Sequence, residues 1–156
     1  PRYAVVLGKV LGGTTVALFQ ALLFLLLGCF LALHPTMASA LAAVGIMALM
    51  ACGLTSLAVA MAWRIDSTQG YHAVMNLLLM PMWLLSGALF PAEGAAPWLQ
   101  RVMLANPLAY GLSALRTALS GGSLVGTDLA VSIGFSAAMF GLATFIVSSK
   151  DRRGGA

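Results

Sequence analysis

Four long segments, Gly13–Leu33, Ala38–Trp63, His72–Phe90 and Leu129–Ser149, contain no Asp, Glu, Lys or Arg. Each is close to the ~20 residues that carry a helix across the ~30 Å hydrocarbon core of a bilayer. None alternates with period two, and backbone in lipid must satisfy its own hydrogen bonds, so these segments are expected to be helices and not barrel strands. Composition agrees. Of 156 residues, 61% are hydrophobic and only 8% charged, too few charges to cover the surface of a soluble domain. The expected fold is an all-α integral membrane protein with four transmembrane helices, plus a re-entrant helical hairpin before the last.

The breaks between these segments carry turn chemistry. His34-Pro35-Thr36 reads as a tight turn between the first two spans, and Arg64 to Gly70 as a short polar loop before the third. Asp128 stands where an N-cap for the fourth span is expected, with its charge against the helix dipole. Six of the eight basic residues (Arg2, Lys9, Arg64, Lys150, Arg152 and Arg153) then fall on one side, against Arg101 and Arg116 on the other. By the positive-inside rule, both ends of the segment are expected in the cytoplasm, and the chain is expected to be a multi-pass protein of a bacterial plasma membrane. The net charge of +4 serves that orientation and does not suggest a nucleic-acid partner. Cys29 and Cys52 both lie within apolar runs and are read as small buried hydrophobes, not as a disulfide. The chain opens on Pro1 without a signal-peptide pattern, which suggests a fragment of something longer or a processed product, the fragment being favoured, with a single transmembrane domain over 1–156.

The spans hold no Asp, Glu, Lys or Arg in their interiors, whereas ion-coupled carriers and proton pumps usually need an ionisable group there to bind the driving ion. Only Gln20, Asn76 and scattered Ser and Thr offer polarity there. The two lysines, Lys9 and Lys150, do not end a phosphate-binding G-x-x-x-x-G-K-S/T loop. Leu119-Ser120-Gly121-Gly122-Ser123 looks like the LSGGQ signature of ABC-type ATPases, but without a phosphate loop it reads as glycine loop chemistry. His34 and His72 fall at opposite membrane faces, so no metal pair is expected, and Glu93 and Asp128 have no nucleophile near them. No catalytic role or cofactor is expected of this chain. Uphill movement would draw its energy from elsewhere.

Between Phe90 and Asp128 the chain is too apolar for a solvated loop and too interrupted for a span. Pro97 to Ala105 has a short helical pattern with Pro at its start, Asn106-Pro107 interrupts it, and Leu108 to Leu119 makes a second. Two short helices joined by a break describe a re-entrant hairpin containing Pro97, Trp98, Asn106, Pro107, Tyr110 and Arg116. Non-helical backbone at membrane depth is tolerated only against protein or a water-filled cavity. On the preceding span, Asn76, Met80, Trp83, Gly87 and Phe90 share a helical face. Pro81 is expected to kink that helix near its middle, and Ser86-Gly87 permits close approach of a neighbouring backbone. Cavity lining and ordinary helix packing both account for this stripe. The abundant methionines, Met75, Met80 and Met82 among them, suit a promiscuous cavity and gap-filling alike. Arg101 and Arg116 are expected at the outer headgroup level.

The ordered series Asn76, Pro81, Ser86-Gly87, Pro91, Pro97-Trp98, Asn106-Pro107, Tyr110-Gly111 and Leu115-Arg116 resembles the signature region of ABC type-2 permeases. These are membrane subunits of exporters for drugs, polysaccharides and lipids, including the daunorubicin-resistance and nodulation-factor permeases. Gly8-Lys9 is similar to the start of that family's third membrane helix, so the likeness runs along nearly the whole chain. The resemblance implies six membrane helices per subunit, of which this chain would hold the third to sixth. It would lack the first two and the coupling helix that docks on the ATPase. It further implies a dimer with a second permease subunit, served by cytoplasmic ABC ATPase subunits that hold ATP and magnesium. Export of a drug-like hydrophobic or amphiphilic compound is the leading expectation, with the direction taken from the resemblance alone. A polysaccharide or lipid exporter of the same family, or a non-transporting scaffold or assembly factor, are the alternatives. On that pattern the substrate cavity or gate would comprise Asn76, Met80, Trp83, Ser86, Gly87, Ala88, Leu89 and Phe90, with Ala88 and Leu89 helping to close the outward exit.

Overall fold

The structure, a computed structural model, describes residues 2–31, 33–89 and 94–150. Its helices are α1 (Arg2–Leu31), α2 (Met37–Arg64), α3 (Thr68–Leu84), α4 (Pro97–Leu104), α5 (Pro107–Leu119) and α6 (Gly126–Lys150). Three of them contain stretches long and apolar enough to cross a membrane: Tyr3–Leu31, Met37–Arg64 and Gly126–Ser149. The first is longer than its sequence pattern indicated. It starts at Arg2 instead of Gly13 and so takes in Lys9.

Local chemistry sets most helix ends. Thr36 caps α2 by accepting the Ser39 N–H, and Ser67 caps α3 by accepting from Gly70, as short hydroxyl side chains do at N-termini. The polar loop before α3 is therefore only Ile65 to Ser67. Asp128 falls in the first turn of α6, just past the expected cap position, because α6 already begins at Gly126. Its backbone N–H donates to Val125 at 3.1 Å. The Leu119–Ser123 stretch terminates α5. Gly121 takes φ +72, its N–H reaches Ala118, and the Gly122 N–H reaches Thr117, the paired bonds of a glycine-terminated helix.

The third expected span is where sequence and structure part. α3 has 17 residues, about 25 Å of helix, and stops at Leu84 instead of running to Phe90, which lies outside the described residues. Pro81 consequently sits in the last turn of α3 and not near its middle. The helix ends because Ser86 turns back on it. The Ser86 N–H and Oγ both donate to the Trp83 carbonyl, at 3.1 and 2.6 Å, and Gly87 adopts φ +85, a region that side-chain-bearing residues rarely enter.

Packing centres on α2, which lies along α6 and also touches α1, α3 and α5. At one end of the bundle Val6, Val10, Ala60, Ala143, Ile146 and Val147 form a buried cluster. At the other, Ala43 and Ile46 of α2 meet Ala114 and Ala118 of α5. These clusters make α2 and α6 parallel and α1 antiparallel to both. Small residues bring the backbones close, as membrane helix contacts favour. Gly53 faces Phe135 and Ser136, and the Ser136 hydroxyl donates across the interface to the Leu49 carbonyl at 2.7 Å. Cys29 and Cys52 are free thiols. Lys9 and Arg64 share the first end, with Lys9 Nζ 5.7 Å from the Trp63 ring centroid, whereas α4, α5 and the start of α6 form the other.

Candidate functional site

A concavity lies at that second end, between the C-terminus of α3, the α4–α5 pair and the first turn of α6. It is an open cleft of about 550 Å³, lined by residues that include Ser86, Gly87, Gln100, Tyr110, Arg116 and Asp128. The construction of α5 explains it. Gly111, Ala114 and Ala118 recur on one face of α5 and are buried, with Gly111 so close to Met50 that an added Cβ would lie 2.6 Å from Sδ. The opposite face carries Ala109, Leu112, Ser113, Arg116 and Thr117, all at the cleft, in the i, i+3, i+4, i+7, i+8 rhythm of one helix side.

Asn106 fixes the hairpin to α3. Its Oδ1 accepts the Leu108 N–H at 3.1 Å, capping α5, while its Nδ2 donates to the Met82 carbonyl at 2.6 Å. The last carbonyls of any helix lack intrahelical partners, and here a side chain from another helix supplies one. Arg116 does the same for the turn beyond, its Nη2 donating to the Gly87 carbonyl at 2.9 Å. Tyr110 ties the hairpin to itself, its hydroxyl donating to the Leu104 carbonyl at 2.8 Å. Pro97 and Pro107 stand in the first turns of α4 and α5, where a missing N–H removes no bond. Gln100 is anchored to the Ala95 carbonyl at 3.0 Å.

The structure thus brings Ser86, Gly87, Tyr110 and Arg116 to one cleft, with Asn106 bracing it. It does not bring Asn76, Met80 and Trp83 there. Those three lie along an exposed side of α3, Met80 63% and Trp83 51% accessible. Pro81, Ala88, Leu89, Pro97 and Trp98 are exposed as well. Gln100, Met103, Ser113, Thr117 and Asp128 join the cleft without having been expected there. The α5 face was readable from the spacing that starts at Ala109, but Asp128 was read as a helix cap alone. Among the described residues no cluster of three His, Cys, Asp or Glu could hold a metal ion.

A family model described as ABC-2 type transporter matches residues 1–120, that is, α1 through α5. The chain belongs to the ABC-2 type transporter family. No individual curated protein and no solved structure matches it. As an ABC-2 membrane domain it is a component of a membrane permease and of a multi-pass membrane protein, and it is not itself the catalytic part. The matched region takes in the cleft's α3 turn and hairpin but ends before α6.

Proposed function

We propose that this chain is the membrane-spanning subunit of an ATP-driven exporter and that it forms part of the pathway for a hydrophobic or amphiphilic, drug-like compound. It works as a dimer with a second permease subunit. Two cytoplasmic ABC ATPase subunits supply the energy and hold the ATP and magnesium. Residues 1–156 form one permease domain, short of two further membrane helices and the coupling helix, with both ends of the segment cytoplasmic. In this reading α3 is a fourth crossing, extended beyond Leu84 by the Ser86-Gly87 turn, and α4–α5 re-enters from the outer face. Ala88 and Leu89 help close the outward exit.

One observation carries the reading: the side of α3 that holds Asn76, Met80 and Trp83 is exposed in the single chain. Lipid alone gives the Asn76 amide no hydrogen-bond partner, and an unpaired amide in hydrocarbon costs several kcal/mol. A cavity or a second subunit relieves that cost. Apart from Lys9, Arg64 and Asp128 toward their ends, the spans hold no Asp, Glu, Lys or Arg, which fits a machine driven by a partner's ATP hydrolysis and not by an ion gradient.

The test uses the full-length protein purified gently from its native membrane. An ATPase subunit should accompany it, and amphiphiles of one class should stimulate ATP hydrolysis. Stimulation only by lipid-linked saccharides would shift the cargo to the polysaccharide and lipid class. A chain that purifies alone from membranes in which transport persists would make it a scaffold.

A further inference from the structure

The cleft also contains two opposite charges, Asp128 and Arg116, whose capacity to bind a ligand the permease reading does not use. Asp128 is 8% accessible and lines the cleft, yet among the described residues no group donates a hydrogen bond to its carboxylate. Only its backbone is engaged, the N–H with Val125 and the carbonyl with the Ser132 hydroxyl. The carboxylate oxygens are not sealed off from the cleft, and as acceptors they have no donor of their own there. Arg116 lines the same cleft. It places one guanidinium nitrogen on the Gly87 carbonyl, and its fork holds further donors suited to phosphate.

We infer that this cleft binds a zwitterion carrying an ammonium group and a phosphate, with Asp128 receiving the ammonium and Arg116 the phosphate. The charge pattern selects the class. A plain anion meets the Asp128 carboxylate, a plain amine meets the Arg116 guanidinium, and a zwitterion satisfies both. Ser113, Thr117 and Gln100 add neutral polar groups, and the volume falls within the ~300–1,000 Å³ of small-ligand sites. Placement fits too. The cleft lies where α3 ends and α6 begins, so it sits near the depth at which membrane helices stop and phospholipid headgroups lie. Met103, Leu104 and Leu112 at the lining give an attached acyl chain an apolar exit. The site's occupancy requires no ATP and no exported cargo, so it stands or falls separately from the exporter reading.

The experiment places the full-length protein in nanodiscs of equal parts dioleoyl-phosphatidylethanolamine and dioleoyl-phosphatidylglycerol and counts the lipids retained by native mass spectrometry. The wild type should retain the ethanolamine lipid about tenfold over the glycerol lipid, the scale of a charge-assisted hydrogen bond. Asp128→Asn should abolish that preference, and Arg116→Gln should weaken retention of both. Displacement by soluble glycerophosphoethanolamine would show that the free headgroup suffices. Failure of displacement with selectivity intact would make the membrane lipid the ligand, and both results uphold the zwitterion site. Equal retention by the wild type would overturn the inference. So would an unchanged preference in a folded Asp128→Asn protein, the result expected if Arg116 simply turns to pair with Asp128. Should Asp128→Asn not fold, Ser113→Phe fills the cleft from an exposed position on α5 and must abolish the preference. Retained preference there would overturn the site equally.

Discussion

Replacing Asn106 tests how the hairpin holds α3, since one side chain performs two separable tasks. Its Oδ1 caps α5 and its Nδ2 binds the Met82 carbonyl at 2.6 Å, and the residue is 7% accessible. An N-cap is worth about 0.5–2 kcal/mol, and an interhelical side-chain hydrogen bond in a membrane protein averages about 0.6, with a maximum near 1.7. Asn106→Ala should therefore destabilise the protein by about 1.5–3 kcal/mol. The informative signal is local. The Leu85 and Ser86 amides, which donate to the Pro81 and Trp83 carbonyls, report opening of the last turn of α3. Hydrogen exchange at these two should speed up about 3- to 20-fold, the Met82 bond expressed as a local opening equilibrium. The Leu108 amide, relying on the cap, should also exchange faster.

Asn106→Asp separates the tasks. The retained acceptor keeps Leu108 protected, while the lost donor, replaced by an oxygen facing the Met82 carbonyl, should release Leu85 and Ser86 at least as much as alanine does. If Asn106→Ala accelerates exchange only at Leu108 and leaves Leu85 and Ser86 unchanged, the hairpin does not hold α3, and the reasoning fails.

Other consequences follow from contacts elsewhere in the bundle. Gly111→Ala sets a Cβ 2.6 Å from Met50 Sδ. The flexible thioether absorbs part of this, so a loss of about 1 kcal/mol is expected in thermal melting, rising to about 1–3 for Gly111→Leu. Ser136→Ala removes the bond to the Leu49 carbonyl and should cost about 0.6 kcal/mol. Gly53→Ala drives a Cβ to 2.8 Å from Ser136 Oγ and 3.0 Å from the Phe135 ring. The two changes combined should cost less than their separate effects, since removing Oγ relieves part of the clash. For the proposed orientation, a cysteine at Ser123 should react with an impermeant reagent from outside intact cells and one at Asp151 should not. The reverse pattern would invert the topology.

Much of this was legible because the deciding chemistry is local. Pro97 and Pro107 mark helix starts through a missing N–H, and Gly121 belongs to a glycine turn that stops α5 through its positive φ. Thr36 and Ser67 read only as turn and loop residues in the sequence, although their hydroxyls accept three residues on and start α2 and α3. Apolar runs without charge likewise revealed α1, α2 and α6, although hydropathy set the start of α1 too late. Lys9 lowers the average there without breaking the helix, since its charge lies over Trp63. The membership of the cleft was less accessible. It depends on which side of α5 packs on α2, and the small residues Gly111, Ala114 and Ala118 decide that by fitting against Met50, Ala43 and Ile46.

The end of α3 was not legible, and the reason bears on the gate. Hydropathy continues unbroken to Phe90 because Leu84, Leu85, Ala88 and Leu89 are as apolar as the residues before them, yet a helix ends where its carbonyls find better partners. Here Ser86 takes Trp83 from two residues beyond the helix, while Met82 and Gly87 are claimed by side chains 24 and 29 residues downstream. No local window contains those partners. The consequence is mechanical. Ala88 and Leu89 do not continue the Asn76–Met80–Trp83 stripe; they sit beyond a glycine turn whose carbonyl is held by Arg116 of α5. The exit closure proposed for them is therefore carried by a turn coupled to the hairpin. Any movement of that turn away from α5 must first break the Arg116–Gly87 bond.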